Sequence, residues 1–118
     1  MVISVTVTMA QALKKVRMDN EKEGFPITAI REIKILRTLE HQNIVNLKEI
    51  VVSNKAANNQ NKSSIYMVLE YLDHDLTGLA ERPDINFKEE HIKCYMRQLL
   101  KGLHYCHLNK VLHRDIKV

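Results

Sequence analysis

Glycine is scarce at the start of this chain. The 118 residues include three glycines, and none precedes Gly24. A backbone without glycine can neither take up the positive-φ turn of a phosphate-cradling loop nor let phosphates approach it closely, so such a loop is excluded from that stretch. Tryptophan is absent and aromatics make up 5% of the chain, so the net charge of +4 comes without aromatic–basic interleaving. Direct nucleic-acid binding is therefore not expected. The two cysteines, Cys94 and Cys106, fall in one expected helix, too far apart to bridge within it. They read as reduced thiols of an intracellular protein. No apolar run approaches membrane-spanning length, and the N-terminus lacks the charged-then-apolar layout of a secretory signal. The default is a soluble protein of the cytosol or nucleus. No block of like charge and no internal repeat appears, and the length allows one small domain or part of a larger one.

What is present has a clear order. Residues 2–9 alternate, with Val5, Val7 and Met9 against Ser4, Thr6 and Thr8, and read as a strand able to pair with a second one over 12–17. In that second strand Ala12, Lys14 and Val16 share one face, and Leu13, Lys15 and Arg17 share the other. A helix is expected from Pro26 to Leu39, with proline at its first position. At helical spacing from Glu32 lie Ala29, Ile35, Leu36 and Leu39, which puts Glu32 on the face that should be buried. A carboxylate there is costly unless a cation answers it. Ile44 to Val52 reads as a strand with Val45 and Leu47 on its core face. Ser53 to Ser64 reads as a solvated hairpin insertion, and Ile65 to Leu72 as the returning strand. A short helix over Leu76 to Ala80 follows. A long one is expected to start at Asn86, with Glu89 completing a capping box, and to run to about His107. Ile92, Met96, Leu99, Leu103 and Cys106 share one side of it, and Gly102 inside it suggests close packing.

The pairing of Lys14 on a strand with an inward Glu32 on the next helix resembles the protein-kinase core, and His113-Arg114-Asp115 matches that family's catalytic motif. Pro26-Ile27-Thr28-Ala29-Ile30-Arg31-Glu32 narrows the resemblance to cyclin-dependent kinases. The flanks, residues 19–25 and 46–50, look most like the transcription-elongation branch that pairs with cyclin K. The fold implied is α+β. It comprises a partial small lobe over residues 11–72, behind an atypical start at 1–10, and the first helices of the large lobe over 73–118.

The resemblance also implies roles. Lys14, held by Glu32, would position the α and β phosphates of ATP, and Lys15 would be solvated. Ala12 would cap the adenine and Val45 line its slot, with Leu69 at the back, where most relatives carry phenylalanine. The backbone of Glu70 and Leu72 would bond the base, and Asp75 the ribose. Asp115 would be the catalytic base and Lys117 would neutralise the transferred phosphoryl group. His113 would pack with Leu36 and Leu47 between the lobes. Pro26, Ile27 and Ile30 would face the cyclin, and Arg31 and Arg114 would bind a phosphothreonine. His104, Cys106, His107 and His113 offer no metal-ligand pattern, so no metal site is expected. Two features depart from the family pattern: no glycine loop is present, and Gln11 stands where valine is usual. The sequence contains neither the asparagine two positions past Val118 nor the Asp-Phe-Gly that hold magnesium. The chain by itself is therefore expected to be inactive, a fragment of a nuclear kinase that uses ATP and magnesium. The alternative is a non-catalytic cyclin-binding module. Without further helices to cover it, the long helix should also leave an apolar stripe exposed.

Overall fold

The computed structural model describes residues 10–17, 26–53 and 64–117. The strand expected over 2–9 and the interior of the expected insertion, residues 54–63, lie outside them. Six elements follow in order: β1 (Gln11–Lys15), α1 (Ile27–Thr38), β2 (Leu47–Val52), β3 (Ile65–Glu70), α2 (Leu76–Ala80) and α3 (Glu89–Leu108). The chain forms two compact units, one built from the sheet with α1, the other from α2, α3, the C-terminal segment and residues 41–45.

In the first unit the strands form one antiparallel sheet ordered β1-β3-β2. The register sets Ala12 opposite Leu69 and Lys14 opposite Met67 on one side of β3, and Ile50 opposite Met67 on the other. A bulge between Leu47 and Glu49 interrupts β2. Beyond Val52 and Ile65, Ser53 closes the hairpin neck: its N–H donates to the Ser64 carbonyl at 2.8 Å, and its hydroxyl accepts from the Ser64 N–H at 2.9 Å. β-branched and aliphatic residues favour this half-buried pleat. Val16, Ala29, Leu47 and Met67 form the core, with Ile33, Leu36, Ile50, Ile65 and Leu69 packed on it. Each fully buried aliphatic side chain there contributes about 1.5–3 kcal/mol.

Three expectations need correction in this unit. Pro26 is the buried cap residue of α1 and not its first turn, and no side chain caps the helix. Ile35 is exposed, because the buried stripe runs through Ala29, Ile33 and Leu36 instead. β2 starts at Leu47, later than expected, and Ile44 and Val45 precede it, buried but outside the ladder.

The second unit is organised on α3. The helix begins at Glu89, three residues after the expected cap Asn86. The Lys88 N–H donates to His91 Nδ1 at 3.1 Å, and the acids Glu89 and Glu90 in the first turn suit the positive end of the helix. Phe87 meets His91 and Tyr95 edge-on, with ring centroids 6.5 and 5.7 Å apart, which fixes the entry to the helix. At the other end the Asn109 N–H and side-chain amide both donate to the Tyr105 carbonyl, and Lys110 turns the chain at φ 60°.

Segment 41–45 lies against α3. Its backbone comes close at Gly102, where a Cβ would sit 3.0 Å from the Asn43 carbonyl oxygen. Buried Asn43 donates its side-chain N–H to Gln98 Oε1 at 3.3 Å, and its backbone N–H donates to His41 Nδ1 at 3.0 Å. The His41 ring lies 4.9 Å from that of Tyr105. Of the stripe expected on α3, Cys106 is buried and Leu99 and Leu103 are half-buried, while Ile92 and Met96 are exposed. Among the described residues no helix is long and apolar enough to cross a membrane.

Candidate nucleotide and phosphoryl-transfer site

The first unit carries the lysine–glutamate pair. The pleat of β1 puts Lys14 on the same face as Val16, whose side chain is in the core, and α1 presents Glu32 to that face. Lys14 Nζ and Glu32 Oε1 are 2.7 Å apart. The side chains keep 54% and 42% of their surface, so the acid is half-buried, not enclosed as the helix periodicity implied. Glu32 stands at the edge of the stripe, where its head reaches both Lys14 and water. A pair this exposed is worth at most about 1 kcal/mol to stability, so its geometry matters for what it positions more than for holding the fold.

Ala12 and Leu69 face each other across the β1–β3 ladder, both half-buried. The Glu70 N–H donates to the Asn46 carbonyl at 3.3 Å and is therefore already engaged. Lys15 is exposed, as expected for the outer face. On α1, Pro26 is buried while Ile27, Ile30 and Arg31 are exposed, an apolar pair facing solvent beside a cation.

The second unit carries the remaining candidates. Val45 is buried and Leu72 half-buried. Asp75 caps α2, its Oδ1 accepting the Gly78 N–H at 2.7 Å. In the C-terminal segment the Asp115 N–H donates to His113 Nδ1 at 3.2 Å, which holds the turn. Arg114 between them adopts φ 64°, a left-handed conformation that side chains other than glycine rarely take and that clusters at functional turns. Lys117 Nζ lies 3.5 Å from Asp115 Oδ2, and both side chains are largely exposed. A carboxylate with an adjacent ammonium at a strained turn can orient a hydroxyl and meet developing phosphoryl charge. Among the described residues no three His, Cys, Asp or Glu side chains converge to hold a metal ion.

The candidates thus fall into two groups, Ala12, Lys14, Glu32, Leu69 and Glu70 with the sheet, and Val45, Leu72, Asp75, Asp115 and Lys117 with α3. Sequence reasoning missed Asn43 and Gln98 at the α3 contact, where the glycine inside a helix was the available signal. It also missed Gly78, whose only hint was a glycine three places after an aspartate.

A family profile described as protein kinase domain matches residues 2–118, and the chain belongs to the protein kinase family. Within the family it is of the cyclin-dependent type. It is 66% identical over 114 residues to Cyclin-dependent kinase C-2 of Arabidopsis thaliana, covering 90% of this chain and 22% of that protein. It is 63% identical over 115 residues to Cell division control protein 2 homolog 2 of Pisum sativum, covering 90% and 76%. Cyclin-dependent kinase 12 of Drosophila melanogaster is 59% identical over 108 residues, covering 90% and 9%. Among solved structures, the crystal structure of the yeast RNA Pol II CTD kinase CTDK-1 complex superposes with a TM-score of 0.77 at 43% identity, covering 91% of this chain and 32% of that one. These relatives support the transcription branch expected from the flanks of the helix motif. The chain spans 22% of the length of the Arabidopsis relative, so it corresponds to part of a cyclin-dependent kinase of that size.

Proposed function

We propose that the protein to which this chain corresponds transfers the γ-phosphate of ATP to Ser/Thr-Pro sites, with the RNA polymerase II C-terminal repeats as substrate and the nucleus as its place of action. The single observation that carries the reading is the 2.7 Å contact between Lys14 and Glu32. Glu32 takes one of the three directions in which the ammonium can donate and fixes it over the sheet, leaving the others for phosphate oxygens. Ala12, Val45 and Leu69 supply apolar surface for adenine, with the Glu70 carbonyl and the Leu72 backbone as its hydrogen-bonding edge. Asp75 takes the ribose. Asp115 accepts or orients the substrate hydroxyl's proton, and Lys117 offsets the charge on the transferred group. Arg31 and Arg114 bind a phosphothreonine. Magnesium, when bound, neutralises phosphate charge. The chain by itself is expected to transfer no phosphate, since its sequence contains neither the glycine loop nor the Asp-Phe-Gly.

The test is phosphorylation of a Ser-Pro repeat peptide by the cyclin-bound whole kinase. Replacing Lys14 by methionine should lower the rate by at least about a hundredfold. A rate within a few-fold of wild type would overturn the assignment.

A second reading, that the chain is a cyclin-binding module, is favoured by one feature. Ile27 keeps 61% of its surface and Ile30 is exposed beside it on α1. An apolar pair on the helix face turned away from the sheet core is the kind of surface a partner covers. K-type cyclin is the partner to test first. Purified chain should be captured by immobilised cyclin K, and the double substitution of Ile27 and Ile30 by alanine should abolish capture. No capture of the unaltered chain would end this reading.

A further inference from the structure

We infer that the uncovered face of α3 is a docking surface for an amphipathic helix of another protein, one that carries carboxylates beside its apolar stripe. The face is built from two ridges that repeat every four residues along α3. Ile92, Met96 and Leu100 form the first and keep 53%, 47% and 56% of their surface. Lys93, Arg97 and Lys101, each one place further on and exposed, form the second. Met96 and Leu100 line a groove together with these three cations and His104, and no carboxylate lines it.

The charge of this groove is largely unanswered. Lys93 Nζ meets Glu89 Oε1 at 2.6 Å, one turn earlier on α3. Neither Arg97 nor Lys101 has an ion-pair partner among the described residues. Like charges one turn apart repel, and an anionic partner relieves that repulsion. The apolar and cationic ridges run side by side for about 12 Å, from residue 92 to residue 101. Ridges at this spacing take the matching ridge of a second helix between them. Such a helix covers the apolar side chains while its carboxylates lie against Arg97 and Lys101. Nucleic acid is a poorer fit, because no aromatic side chain lines the groove to stack on a base. An anionic membrane is poorer too, because Glu89 and Glu90 stand in the first turn of the same helix. A second copy of this chain would bring the same cations and be repelled.

The probe is a labelled helical peptide of about 18 residues, with leucines in one stripe and glutamates along its edges. It is compared, by fluorescence anisotropy, with a twin that has lysine for every glutamate. The chain should bind the glutamate peptide at least about tenfold more tightly, with the difference shrinking in high salt. Arg97→Glu combined with Lys101→Glu changes only exposed side chains, so the melting temperature should stay within a few degrees while the preference reverses to the lysine twin. Leu100→Gln should weaken the preferred peptide without reversing the preference. Equal binding of the two peptides, or a preference that the charge reversal leaves unchanged, would overturn the inference. So would tighter binding to phosphatidylserine vesicles or to a single-stranded oligonucleotide than to the peptide, or self-association that Leu100→Gln abolishes, since each names a different occupant. Failure of the glutamate peptide to bind the whole kinase would mean that further residues of that protein cover this face, and would overturn it as well.

Discussion

At the scale of single residues, ionic contacts and close packing matter differently. The Lys14–Glu32 contact is short but half-exposed, and was found by the spacing of a lysine on a strand and a glutamate on a helix face. Its exposure was not legible, because periodicity gives direction on a helix but not how much the neighbouring strand covers. Gly102 was legible as an oddity inside a helix, but its partner was not, since Asn43 is remote in sequence. Gly102→Ala places a Cβ 3.0 Å from a backbone carbonyl that cannot swing aside. It should destabilise the chain by about 1–2 kcal/mol in urea unfolding despite alanine's better propensity. An unchanged midpoint would mean that segment 41–45 does not rest on α3.

Cys106 gives a pH dependence. Burial pushes its thiol above the ordinary range. The unfolded chain releases this proton near pH 8.5 while the folded chain retains it, so stability present at neutral pH declines as pH rises above that value. Cys106→Ala should flatten the decline, measured as melting temperature between pH 7 and 10. Cys94, exposed on the same helix, should react with iodoacetamide at pH 8 in the folded chain while Cys106 does not. At the acid end, Arg82 holds the Asp84 carboxylate below its usual value, but both side chains are exposed and the pair is a local turn contact.

At the scale of elements, periodicity located α1, α2, α3, β1 and the β2–β3 hairpin, because each buries a stripe or alternates along its length. It misplaced helix starts. Asn86 and Glu89 fit the capping pattern, yet the chain bends on through Phe87, and the accepting atom is an imidazole nitrogen three places into the helix. A histidine in that role has no simple sequence signature. His91→Ala removes the acceptor for the Lys88 N–H and the ring that meets Phe87. It should cost about 1 kcal/mol and raise amide exchange at Lys88 and the first turn of α3, seen by NMR. Exchange unchanged there would leave the helix start held by something other than His91. The stripe on α3 was read as a whole, but only its C-terminal half is covered in this chain. Met96 and Leu100 line an open groove of about 530 Å³ together with Lys93, Arg97, Lys101 and His104.

At the scale of the molecule, the order of strands, helix and helices follows from the sequence because the shift from alternation to helical spacing falls near residue 72, where the two units also divide. That segment 41–45 joins the second unit could not be read, since nothing local marks a loop as packed on a helix distant in sequence. Family membership rests on independent marks in one order: a strand lysine, a helix glutamate and a terminal His-Arg-Asp, now joined by relatives over 90% of the chain. The central claim is that Lys14, and not its neighbour Lys15, is the phosphate-facing cation. It is tested most directly with an acyl-phosphate derivative of ATP, which acylates the lysine that meets its phosphates, followed by mass spectrometry of the labelled peptide. Modification is expected at Lys14, suppressed by excess ATP and lost in Glu32→Ala; modification at Lys15 or spread over surface lysines, indifferent to ATP, would show that Lys14 does not face the phosphates.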